Sequence, residues 1–482
     1  MTKKVCSCIN ELPDDLILKI LSFVSTKHVV GTSLLSKKWK SLWTRVPILK
    51  YDVRDHTRFE RFLDKSLFSH QYHVLESLHV ELSVTLWNKD IGPWIRTALH
   101  HHHCHLRELE IDACIVHTVL PPELFTCKTL VVLKLKGIVI DVEAPLTTVS
   151  LPSLKTLHID HSSLFDFGSL QMLLSNCNFL TDLMVIRESR FFFAEYDVSW
   201  CKTLMALKLE GLKDVISISS SSAVCLPLLK TLHVARMEDF NNDSFCRLLS
   251  NCPVLSDLTL EEKTSDVLLN LDIDMPYLQR LSIITRVDAD SKHIFSLMKN
   301  YTRKLAIIAP SFKYFSIQEL AYASRYRYIV RVRLGVPSKL EDASTFSRIV
   351  HLELSICSER SVEMLVDLLL CFTKLVVLKL EHVYLLTPLG RWEPPSLVPE
   401  CLLSSLEALE WKGYTGRYGD KDLVSYLLNH ALCLKTAKIF YKTYPCEVEA
   451  KQQIEEDLAS MPRGSKSCEV LLNEIIRNKA NC

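Results

Sequence analysis

Glycine is scarce in this sequence, at 11 of 482 residues. A loop-rich enzyme or a glycine-rich phosphate cradle would need more of it, at defined spacing. None of the G-x-S-x-G, H-E-x-x-H, P-loop or dinucleotide fingerprints occurs. An excess of charge of one sign is missing too: 57 Lys and Arg stand against 56 Asp and Glu, for a net charge of +1. That balance gives no reason to expect nucleic acid or an anionic membrane as the main partner. No run approaches the ~18 uninterrupted apolar residues of a membrane span. The opening MTKKVCSCIN lacks the apolar centre of a secretory signal. Cysteine is plentiful, but its 17 copies are odd in number and scattered. Reduced thiols in an intracellular protein, nuclear and/or cytoplasmic, are the expectation. Cys, His and Asp show no spacing that singles out a nucleophile and its base. No catalytic residue, cofactor or metal is therefore expected.

What is present is leucine at a fixed period. The chain is 48% hydrophobic, enough for a large core. The pattern L-x-x-L-x-L starts at Leu75, Leu106, Leu130, Leu154, Leu180, Leu204, Leu229, Leu255 and Leu278, mostly 23 to 26 residues apart. This is the period of a leucine-rich-repeat solenoid, in which a short strand turns its leucines inward and neighbouring turns stack them into one core. A longer duplication overlies it. CKTLVVLKLKG (127–137) recurs at 201–211, LPSLKTLHI (151–159) at 226–234, and LLSNCNFLTDLMV (173–185) at 248–260. Beyond Arg286 the repeat blurs. Thr302/Leu305/Ile307 and Ile329/Val332/Leu334 fit loosely, while Ile349/Leu352/Leu354 and Leu375/Leu378/Leu380 fit well. Four prolines in 387–399 break it. After the break the pattern predicts a strand at Leu406–Trp411, a helix from Lys421 to His430, a strand at Leu434–Tyr441 and a helix from Glu447 to Ser460.

Before the repeats, ELPDDLILKILSFVSTKHVVGTSLLSKKWKSLW (Glu11 to Trp43) reads as three short amphipathic helices. Asp14 and Asp15 sit at the first helix start, where the dipole favours negative charge. Leu16, Ile17, Ile20, Leu21 and Val24 form an apolar stripe, and Thr26 is placed to cap the second helix. So small a unit cannot bury all its apolar surface alone. A partner surface or packing on its own chain must cover it.

The same residues carry a resemblance. LPDDLILKIL followed by STKHVVGTSLLSKKWKSLW resembles the F-box of plant F-box proteins. The segments LEALEWKGY and MPRGSKSCEVLL resemble the FBD module that follows the repeats in a subgroup of them. The resemblance implies an α/β chain with an N-terminal three-helix F-box (8–50), a linker (51–74), a leucine-rich-repeat solenoid or horseshoe (75–395) and an FBD module continuing the repeat (396–482). It further implies a substrate-recognition subunit of an SCF ubiquitin ligase, docked on a Skp-type adaptor and through it on cullin, with an unknown protein target. Carried over by motif position, Leu12, Pro13, Leu16, Ile20, Leu21, Val29, Leu35 and Trp39 lie at or directly behind the adaptor interface. Ser25 departs from the proline common there, and Gly31 falls inside the second helix. A repeat scaffold with a degenerate F-box, or a sensor of a small anionic ligand, are the alternative readings.

Candidate sites outside the F-box are few. Cys127, Cys177, Cys201 and Cys252 each precede a repeat leucine by three residues, and a position repeated in register is a packing position. The run His100 to His105, interrupted by Cys104, reads as a solvated connection rather than a zinc site. Between the last two inward residues, successive turns place Glu110, Lys134, His158, Met184, Lys208, His233, Thr259, Ser282, Ala306, Arg333, Glu353 and Lys379 on the open face. That row is mixed in sign, unlike a nucleic-acid track. In SRYRYIVRVRLG, Arg325, Arg327, Arg331 and Arg333 share one strand face. They are candidate target-binding residues if that face is not simply solvated.

Overall fold

The computed structural model describes residue 9 and residues 12–52, 59–70, 75–82, 90–100, 105–141, 149–160, 172–186, 201–211, 225–235, 242–263, 270–287, 302–321, 331–335, 346–356, 359–382, 394–441 and 448–474. The chain forms two compact units, Met1–Leu228 and Leu229–Cys482.

The first unit begins with α1 (Asp14–Leu21), α2 (Thr26–Gly31) and α3 (Lys37–Leu42). One face of each helix is apolar, and the three faces close over Ile17, Leu21, Val29, Trp39, Leu42 and Val46, all at most 3% exposed. Pro13 precedes α1, and both Asp14 and Asp15 fall in its first turn. Thr26 does not cap α2. It is the helix's first residue, and its buried hydroxyl accepts the Lys50 backbone N–H at 2.8 Å. This bond joins the helices to the first strand.

Strands then succeed one another in parallel: β1 (Ile48–Asp52), β2 (Ser77–Glu81), β3 (Glu108–Val119), β4 (Val132–Asp141), β5 (Thr156–Asp160), β6 (Asp182–Ile186) and β7 (Ala206–Glu210). β1 spans the end of the segment read as F-box and the start of the linker. Leu49 and Tyr51 point into the core, so it is already a repeat strand. A recurrent bond marks the turns of this unit: one carbonyl ahead of each strand accepts two successive N–H groups of the next. Pro47 O accepts from Glu76 and Ser77, and Arg107 O from Val131 and Val132. The repeat leucines, such as Leu106, Leu109, Leu130, Leu133, Leu154 and Leu157, are fully buried. Each contributes roughly 1.5–3 kcal/mol of transfer free energy. Cys127, Cys177, Cys201 and Cys252 are 7% exposed or less and pack among them.

The second unit continues the same parallel rule through β8 (Thr231–Ala235), β9 (Asp257–Lys263), β11 (Arg280–Val287), β13 (Tyr314–Ala321), β15 (His351–Ile356), β16 (Val377–His382), β17 (Ala408–Tyr414), β18 (Thr436–Tyr441) and β19 (Glu469–Glu474). The FBD segment therefore extends the repeat. Its helices, Tyr418–His430 and Val448–Ser460, are the connections between successive strands. Around the stretch where the repeat blurred, the connections between these strands carry strands of their own. β10 (Asn270–Asp274), β12 (Thr302–Ile308) and β14 (Arg331–Gly335) form a separate three-stranded parallel sheet. This corrects the open-face row: Ala306 and Arg333 belong to that second sheet. The turn they were assigned to is supplied by β13, where Ser316 stands in register with Ser282 and Glu353. Gln279 O accepts from Lys313 and Tyr314, the same paired bond that marks the other turns.

Candidate functional site

The F-box helices have two apolar sides, and only one is used internally. On α1, Ile17 and Leu21 face the core, while Leu16 is 49% and Ile20 44% exposed. Phe23, one turn further, is 77% exposed, and the pair after α2, Leu34 and Leu35, is 90% and 65% exposed. The residues singled out from the motif divide accordingly. Leu16, Ile20, Leu35 and Pro13 are exposed, Leu12 is half-buried against the core cluster, and Leu21, Val29 and Trp39 lie within it. Phe23 and Leu34 were missed. The signal for Phe23 was available: it stands three residues beyond Ile20, on the same helical face.

Electrostatics fix the entry to this surface. Asp14 bridges Lys38 at 3.2 Å and Arg45 at 3.1 Å, and Lys38 also donates to the Leu12 carbonyl at 3.0 Å. The Lys38 ammonium first, and then the Arg45 guanidinium, hold the Asp14 carboxyl below the ordinary carboxylate range.

The open face of the repeat strands is the second candidate surface. In the first unit its charges pair with each other: His79 with Glu110 at 3.0 Å, Lys134 with Glu110 at 3.6 Å, Lys136 with Asp112 at 2.9 Å, and His158 with Asp182 at 3.2 Å. In the second unit Arg280, Tyr314 and His351 are register partners on adjacent strands. The Arg280 guanidinium lies 5.4 Å from the Tyr314 ring centre, and the His351 ring 4.5 Å from it. Tyr314 donates its hydroxyl to Glu353, and Gln318 donates to the other carboxylate oxygen at 3.2 Å. Burial, and then the bond to Glu353, pushes the Tyr314 phenol up to about 12. Burial also lowers the His351 imidazole below its usual value, aided by Lys379.

The arginine strand is not part of this surface. Arg331 and Arg333 pair with Thr302 and Lys304 in the three-stranded sheet, and Arg325 and Arg327 lie outside the described residues. The histidine run is likewise outside them at 101–104. Among the described residues no helix is long and apolar enough to cross a membrane.

Three stacked helices, a parallel one-strand-per-turn solenoid and a C-terminal block of the same build define an F-box protein with leucine-rich repeats. Comparison with known families agrees. The F-box domain matches residues 9–51, the FBD 393–439, the repeats of FBD-associated F-box protein At5g56370 residues 92–194, and the Leucine Rich Repeat 228–253. In Arabidopsis thaliana, F-box/FBD/LRR-repeat protein At3g56780 is 99% identical over 425 residues, covering 88% of this chain and 99% of that protein. F-box/FBD/LRR-repeat protein At5g56420 is 33% identical over 476 residues, covering 96% and 98%. FBD-associated F-box protein At5g56370 is 31% identical over 514 residues, covering 96% and 99%. The chain belongs to the F-box/FBD/LRR-repeat family.

Proposed function

We propose that this chain is the substrate-recognition subunit of an SCF-type ubiquitin ligase. Its F-box docks on a Skp-type adaptor and through it on cullin, and its repeats and FBD module bind a protein target. The chain supplies no catalytic group of its own. The ligase gains rate by holding the target near a charged ubiquitin carrier, which is a proximity effect.

The observation that carries this reading is that Leu16, Ile20, Phe23, Leu34 and Leu35 are all left exposed on a unit that has already closed its own core. Covering such side chains is worth on the order of 1–2 kcal/mol each, and a small folded unit with this many exposed large apolar side chains offers a partner surface. Because Leu16 and Ile20 are exposed, charging them leaves the core intact. Leu16→Asp with Ile20→Asp is therefore expected to abolish co-purification with the adaptor while far-ultraviolet circular dichroism and melting temperature stay unchanged. An intact chain that does not bind the adaptor would leave a repeat scaffold without a ligase.

A further inference from the structure

One side chain on the open face of the second unit sits in a place that suits it only without charge. His351 on β15 stands in register with Tyr314 on β13, and its ring lies 4.5 Å from the tyrosine ring, tilted by 32°. From β11 the Arg280 guanidinium comes to 5.4 Å from the centre of the same tyrosine ring. The His351 Nε2 is buried and has no hydrogen-bond partner. The neutral tautomer with its proton on Nδ1 fits there, whereas an imidazolium would bury an N–H without an acceptor. Charges on the surrounding strands bear on the ring as well. Lys379 on β16 and Arg280 on β11 oppose a further positive charge, while Glu353 on β15 and Glu410 on β17 favour it. Those carboxylates are engaged elsewhere: Glu353 accepts from Tyr314 and Gln318, and Glu410 bridges Lys412 at 3.3 Å. Asp257 on β9 meets the Nε of Arg280 at 3.4 Å. Val377, the register partner of His351 on β16, is apolar. Burial first, and Lys379 second, keep the imidazole below its usual value. Tyr314 does not titrate near neutrality, because its phenol is pushed up to about 12.

We infer that Tyr314 and His351 form a proton-operated latch on the open face, closed while the imidazole is neutral and opened when a proton drives its ring out of the stack. An imidazole released to water takes its proton at about pH 6.5, and the stacked one only at lower pH. Protonation therefore favours the open form. The ratio of closed to open falls as pH drops through about 6.5, by at most about tenfold per pH unit, until the stacked ring can take the proton as well. At neutral pH the face presents the Arg280–Tyr314–His351 ladder beside the Tyr314–Glu353 bond. In mild acid it presents a free imidazolium and a tyrosine supported from one side. The latch goes beyond adaptor docking and target recognition, because it is a property of the face alone.

The test uses the full-length chain labelled with fluorotyrosine and followed by fluorine NMR, with the Tyr314 resonance identified by its loss in Tyr314→Phe. Between about pH 8 and about pH 5.5 that resonance is expected to move toward its position in the unfolded chain, with a midpoint below about 6.5. In His351→Phe, which keeps a ring but takes no proton, it should stay in place over the whole range. In Lys379→Gln the midpoint should move to higher pH, because a repelling charge is gone. A role for His351 in packing alone would not move that midpoint. Circular dichroism at the alkaline end checks that each variant keeps the fold. A Tyr314 resonance that ignores pH in the unaltered chain, the same pH response in His351→Phe, or an unmoved midpoint in Lys379→Gln would each overturn the inference. None of these outcomes bears on adaptor docking, which the Leu16→Asp/Ile20→Asp variant tests separately.

Discussion

Asp14 ties three parts of the F-box together from a half-exposed position. It sits in the first turn of α1, where the helix dipole already favours it, and reaches Lys38 on α3 and Arg45 just after it. Its carboxyl is held low by those two cations. A depressed folded value means the stabilising contribution is complete above the unfolded value, about 3.9, and is lost as pH falls through the folded one. Amide exchange of the 12–46 region, corrected for intrinsic rates, should therefore quicken on acidification below about pH 4. In Asp14→Asn it should be faster already at neutral pH and change less with acid. A wild type and variant with the same acid response would show that the bridges are ornamental. The acidic helix start was legible in the sequence because it is a local rule. Its partners were not, since Arg45 lies 31 residues on and periodicity carries no information about such pairs. Thr26 failed for the same reason: cap chemistry suggested a local bond, and the tertiary partner Lys50 took the hydroxyl.

Single turns of the solenoid show what the leucine code can and cannot convey. Turns written in leucine were placed correctly, because one strand per turn with two inward leucines is the only way to stack them. β13 is written in aromatics. Phe315 fills the leucine site with no exposure, edge-on to Phe312 at 5.9 Å and to Phe372 at 6.3 Å. The weak leucine matches on either side of it, around Leu305 and Val332, are strands of the second sheet. A search for leucine therefore chose the wrong neighbours. This assigns Phe315 a definite weight. Phe315→Ala should cost about 3–5 kcal/mol, and Phe315→Leu, which restores the repeat residue but not the ring contacts, distinctly less. Because repeat arrays need not unfold in one step, the effect should be read locally. Protease cleavage and amide exchange within 302–356 should rise in the alanine variant, while 12–141 stays as protected as before. Unchanged protection around β13 would show that the second sheet, not the aromatic cluster, holds these turns.

At the scale of the whole chain, a solenoid has an inside everywhere except at its ends. Each turn buries its leucines against neighbours, so a terminal turn needs a cap. The order F-box, repeats, FBD was readable from motifs. That the FBD is more of the same sheet was readable from its strand–helix–strand spacing. Packing of the F-box on its own chain was one of the two coverings that its spare apolar surface allowed, and the first turn is where it occurs. Among the described residues β1 pairs only with β2, and on its other side α2 closes against it through Thr26 and Lys50. The Val46 carbonyl meets the His70 ring nitrogen at 2.8 Å, and the Pro47 carbonyl holds the start of β2. The F-box helices are thus also the N-terminal cap of the repeats. Removing residues 1–46 should then disturb the first turns of the solenoid. Exchange should rise in Ile48–Asp52 and in the following helix Phe59–Ser69, which holds Tyr51 by the Ser66 bond at 2.9 Å. The effect should fade within about two turns, because contacts reach only to neighbours. Unaltered exchange at Ile48–Asp52 in the truncated chain would refute the capping role. It would leave the F-box as an appended module, attached at β1 without contributing to it.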